Sequence, residues 1–119
     1  MAVGTLRTLP VKQDILSLDE IKNRLTPVFE KYRIKRAFLF GSYARGEATA
    51  ESDIDIRVES GEGNENLRSI FQEVGMWQML MEYAGKEVDL LTCLPDKKYD
   101  RLFYDSVLQD EVLIYEASI

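Results

Sequence analysis

The chain has 119 residues and a net charge of −6, with 45% hydrophobic and 30% charged side chains, the balance of one compact folded domain. It holds no histidine and a single cysteine, Cys93, which excludes Ser–His and Cys–His nucleophile pairs, histidine-held zinc, an intrachain disulfide and a CxxC metal cage. Chemistry must rest on carboxylates, hydroxyls, basic groups and the ions they recruit.

The longest apolar runs, Ala37–Phe40 and Val112–Tyr115, have four residues each, and the N-terminus has no signal-peptide core, so the expectation is a cytoplasmic protein with no membrane contact. The acidic balance argues against direct nucleic-acid binding. Charge is uneven along the chain. Residues 1–50 carry nine basic and five acidic groups (+4), and residues 51–119 carry six and sixteen (−10).

Residues 1–16, with Gly4 and Pro10, read as an N-terminal arm, and residues 17–119 as the single domain. Ser17 with Glu20 is a capping-box signal opening a helix that runs to about Tyr32, with Pro27 as an interior breaker. Lys35–Phe40 reads as a buried strand ending at Gly41, and Gly41–Ser52 as a turn-rich stretch with room for one helical turn. Asp53–Glu59 alternates with period two, as a strand does. After the break at 61–64, apolar positions from Leu67 to Ala84 space as a long amphipathic helix with Gly75 as a weak point. Glu87–Cys93 reads as a third strand with Cys93 buried, Tyr99–Val107 as a helix and Val112–Tyr115 as a closing strand. The order α-β-β-α-β-α-β predicts an α/β (α+β) domain, a small mixed sheet of about four strands flanked by helices. Met76, Trp77, Met79, Leu80 and Met81 are read mainly as core and secondarily as a partner surface.

Three features carry chemistry. Gly41-Ser42 follows a buried strand, where glycine permits positive φ and close backbone approach, and Arg45 can return to the same anion. Asp53 and Asp55, two residues apart on a strand, share one face, while Ile54, Ile56 and Val58 take the other. Asp89 lies in a second apolar strand and joins that face if the strands pair. Like charges so close are costly alone and favourable around Mg²⁺, and three carboxylates suffice to bridge two metal ions.

The stretch Gly41-Ser42-Tyr43-Ala44-Arg45-Gly46-Glu47-Ala48, followed by Ser52-Asp53-Ile54-Asp55-Ile56, resembles the minimal nucleotidyltransferases of the DNA polymerase beta superfamily. Val88-Asp89-Leu90-Leu91-Thr92 is similar to the strand with that family's third acid, and Glu111–Tyr115 to its C-terminal strand. The resemblance covers roughly residues 17–116. It implies that Gly41 and Ser42 hold the β- and γ-phosphates of ATP with help from Arg45. It implies that Asp53 and Asp55 ligate two Mg²⁺ ions, and that Asp89 ligates one and orients or deprotonates the acceptor hydroxyl. Larger relatives append an acceptor-binding domain; none is expected here, which puts the acceptor on another chain. Within the superfamily the chain most resembles the MNT antitoxins that pair with HEPN-domain ribonuclease toxins. That implies an antitoxin in a hetero-oligomer, transferring AMP to a tyrosine of the toxin. A non-catalytic masking antitoxin and an enzyme acting on a small hydroxylated molecule are the alternatives.

Overall fold

The computed structural model describes residues 15–61 and 63–118. The arm expected at 1–16 lies outside them apart from its last two residues. Of these, Leu16 is buried and its N–H donates to the Tyr43 hydroxyl at 3.4 Å.

Helix α1 spans Leu18–Lys31. Ser17 Oγ accepts from the Glu20 N–H at 3.1 Å and Glu20 Oε1 accepts from the Ser17 N–H at 2.9 Å, so the capping box forms. Pro27 sits inside the helix without ending it. An interior proline costs about 3 kcal/mol; full burial of Ile21, Leu25, Val28 and Phe29, at about 2 kcal/mol each, outweighs it.

Strand β1 (Arg36–Phe40) leads into α2, a five-residue helix over Gly41–Arg45 within the expected turn, closed by Gly46 in the left-handed region. Strand β2 covers Ile54–Glu59, one residue shorter than its alternation suggests. A 3₁₀ turn at Glu65–Leu67 precedes α3, which starts only at Ile70 and ends at Ala84. A second capping box, Ser69 with Gln72, sets that later start. Gly75 in α3 is a contact position and not a weak point. A Cβ there would stand 3.0 Å from the Tyr32 hydroxyl, so its absence lets α1 and α3 approach. Strand β3 is confined to Val88–Leu91, helix α4 spans Arg101–Asp110 and strand β4 spans Val112–Glu116.

The sheet order is β3-β2-β1-β4, with β1 antiparallel to β2 and β4, and β3 parallel to β2. Helix α3 makes the crossover that parallel strands require. Met76 and Leu80 of α3 join the α1 side chains over Leu39, Ile56 and Val58 to form the core. The opposite sheet face carries Phe38, Phe40, Asp55, Arg57 and Glu59, by strand alternation. Helix α4 covers one end of it, where Phe103 packs edge-on against Phe40 with ring centroids 6.3 Å apart. Cys93 is exposed, because β3 stops at Leu91 and the chain leaves the sheet before reaching it. No helix among the described residues is long and apolar enough to cross a membrane.

Candidate active site

Gly41 connects β1 to α2 with φ +73°, a conformation that L side chains adopt at a cost. Space demands glycine as well, since a Cβ would collide with the Asp55 carboxylate. This closeness follows from the register, which sets Phe40 opposite Asp55. The N-cap of α2 is Phe40, and no side chain caps the first turn. The N–H groups around Gly41 and Ser42 are thus left to bind something else, and an anion suits them.

Asp55 is half-buried on β2, and its parallel register partner on β3 is Asp89, so both project from the same face. The two carboxyls hydrogen-bond, and the Asp55 pKa is pushed up to about 7. Burial is the largest cause, followed by the Asp89 hydrogen bond and charge and by the charge of Asp53; Arg45 pulls the other way. Asp53 stands one residue before β2 and is exposed. It borders a separate cleft of about 530 Å³ with Glu51, Met81 and Glu82. Among the described residues, no three carboxylates are preassembled as a metal cage. The chemistry of the set nevertheless fits a hard divalent cation: all donors are oxygens, and two are held together at the expense of a proton. Asp55 and Asp89 would hold it, with Asp53 turned in to join them.

A cleft of about 480 Å³ brings Gly41, Arg45, Asp55 and Asp89 together, with Phe40, Phe103 and Ser106 among its other walls. Ser42 lies beside it on α2. The Arg45 guanidinium lines the cleft but is engaged: Nε donates to Glu47 at 2.9 Å and Nη1 to Asp110 at 2.8 Å. The Glu47 bond and then the Asp110 bond raise its pKa. An anion in the cleft therefore competes with two carboxylates for Arg45.

Sequence reasoning missed the α4 wall and the residue that anchors it. Arg57 is only 4% exposed. It donates to Glu111 at 2.9 and 2.8 Å and to Glu59 at 2.9 Å, and lies 4.4 Å from the Phe38 ring centroid. Burial opposes its charge, and the hydrogen bonds it donates to Glu111 and Glu59 overcome that and raise its pKa. The available signal was its place two residues after Asp55, on the same polar face.

The family model for polymerase beta-type nucleotidyltransferases matches residues 23–119. The chain belongs to that family. A Methanocaldococcus jannaschii relative, provisionally named a protein adenylyltransferase, is 47% identical to this nucleotidyltransferase over 77 residues, which are 65% of this chain and 78% of the relative. The Thermococcus cleftensis protein adenylyltransferase MntA is 33% identical over 81 residues, 65% of this chain and 78% of its own. Among solved structures, a toxin–antitoxin complex with AMP-PNP matches with a TM-score of 0.61 at 20% identity, covering 82% of this chain and 74% of the other. A complex of a tri-AMPylated Shewanella oneidensis HEPN toxin with its MNT antitoxin matches at 0.57 and 18%, covering 84% and 73%. At such identities the structures establish the shared nucleotidyltransferase fold.

Proposed function

We propose that the chain is a Mg²⁺-dependent protein adenylyltransferase that moves AMP from ATP onto a tyrosine of a HEPN-domain toxin and so acts as its antitoxin. We assign the catalytic unit to residues 17–119 and its work to the cytoplasm, in a hetero-oligomer with the toxin. The observation that carries the reading is the Asp55–Asp89 carboxyl pair, facing a cleft whose other wall is the uncapped Gly41 turn. The adenylyltransferase names of the relatives and the toxin–antitoxin complexes among the structural neighbours support the acceptor class.

In this reading the Gly41 and Ser42 N–H groups bind the β- and γ-phosphates, and Arg45 leaves Asp110 to join them. Asp55 and Asp89, with Asp53 turned in, would hold Mg²⁺, which would supply charge neutralisation at the α-phosphate and acidify the attacking hydroxyl. Asp89 orients the tyrosine hydroxyl and receives its proton. The tyrosine oxygen forms a bond to the α-phosphorus, the bond from that phosphorus to the bridging oxygen breaks, and pyrophosphate leaves. Positioning and electrostatics suffice for such a step, and no histidine is required.

The test is mass spectrometry of the toxin after incubation with ATP and Mg²⁺. The wild-type chain is expected to add AMP to a tyrosine, and Asp55→Asn to add none while remaining folded. Full AMP addition by Asp55→Asn would sink the proposal, and neutralisation by that variant without any AMP would favour masking.

A further inference from the structure

Asp89 and Leu90 are shared by two clefts. One is the 480 Å³ space with Gly41, Arg45 and Asp55. The other, about 220 Å³, lies between α3 and the outer edge of β3 and is walled by Ile70, Val74 and Trp77 opposite Leu90 and Thr92. The two spaces meet at Asp89 and Leu90, along the edge of β3.

The groove is built from fixed parts. The Trp77 indole N–H donates to the Val88 carbonyl at 2.6 Å, which pins that wall. Glu73, at the rim, accepts from the Thr92 hydroxyl at 3.4 Å. Ile70 and the adjoining Phe71 are 65% and 84% exposed, so the apolar rim continues onto the surface. Strand β3 is an edge strand. The Ile54 N–H donates to the Glu87 carbonyl at 3.0 Å, so Glu87 and Asp89 turn their backbone groups toward β2, while Val88 and Leu90 turn theirs outward. Trp77 takes the carbonyl of Val88, and the N–H and C=O of Leu90 open along the groove.

We propose that this groove is the acceptor subsite, taking an extended polypeptide segment whose aromatic hydroxyl side chain lies against Val74 and Trp77 with its oxygen at Asp89. The proposal rests on the adenylyl-transfer reading above. Its occupant follows from the lining. Apolar walls suit an aromatic ring, Asp89, common to both spaces, offers a carboxylate to its hydroxyl while Glu73 is engaged by Thr92, and the outward backbone pair of Leu90 matches the main chain of an added strand. A polyhydroxylated small molecule would face Ile70 and Val74 with its hydroxyls unpaired, which is unfavourable.

The probe is the peptide acetyl-Val-Tyr-Val-amide beside its serine counterpart, with ATP and Mg²⁺, using the full chain and the variants Ile70→Lys and Val74→Lys. The tyrosine peptide is expected to be adenylylated at least tenfold faster than the serine peptide. Each variant should lose tenfold or more in kcat/KM for the peptide while binding AMP-PNP as the wild type does. In the wild-type protein the peptide should also shift the Trp77 indole and Leu90 amide NMR signals, a readout independent of how the variants fold. Variants that match wild type, peptide-induced shifts confined elsewhere, or an unmodified tyrosine peptide despite AMP-PNP binding would each overturn the groove. Failure of the wild-type chain to bind AMP-PNP with Mg²⁺ would instead overturn the transfer reading itself.

Discussion

Asp55 carries the main cost of this site. A half-buried carboxyl beside two others holds its proton to about pH 7, against 3.8 for an unhindered aspartate. A raised folded pKa means that the stability associated with the proton is fully present below pH 4 and is lost as pH rises toward 7. In metal-free buffer Asp55→Asn should therefore melt increasingly above wild type as pH climbs from 4 to 7, with the gap constant beyond; thermal melts across that range check it. Mg²⁺ should raise the wild-type Tm at pH 7.5 and leave that of Asp55→Asn unchanged. Gly41 is constrained twice, by φ +73° and by the carboxylate beside it. Gly41→Ala is expected to lose about 2 kcal/mol or more in denaturant melts, since strain and a clash add. Gly41, Asp55 and Asp89 were legible because a turn glycine and period-two alternation are local signals. The engagement of Arg45 by Glu47 and Asp110, the exposure of Asp53 ahead of β2 and the exposure of Cys93 depend on where elements end, and periodicity does not say.

Among the elements, α4 is held from both of its site-facing neighbours. Asp110 at its last position binds Arg45 of α2, and Glu111 just beyond binds Arg57 of β2. The Arg57–Glu111 pair is nearly buried, and removing Glu111 leaves Arg57 with Glu59 as its remaining carboxylate partner. Glu111→Ala should cost about 2 kcal/mol and lower Tm by roughly 8 °C. Replacing both, as Arg57→Met with Glu111→Met, should restore most of that loss, because apolar side chains of similar volume tolerate such positions. Equal Tm values for the single and double variants would show that the pair does not hold α4. The helices and strands themselves were readable from capping boxes and alternation. The α4 anchor was not, because its partners lie 54 residues apart in sequence.

For the molecule as a whole, the topology makes the site. The α3 crossover brings β3 parallel to β2 in the register that sets Asp89 beside Asp55, and a slip of one residue would turn Asp89 into the core. The fold class and the pairing of Asp55 with an acid on the next strand could be read from pattern, whereas the placing of Asp53 in a separate cleft and the sheet order, with β4 beside β1, are long-range outcomes. The same topology leaves one edge strand next to an apolar helix face, which is where a protein acceptor would enter. In the proposed reaction the transferred group comes from the α-phosphate. The direct measurement is incubation of the chain and the proposed HEPN-domain toxin with Mg²⁺ and ATP radiolabelled at either the α- or the γ-phosphate. Label on a toxin tyrosine from α-labelled ATP alone is the predicted result. Label from γ-labelled ATP, or none from either, would contradict it.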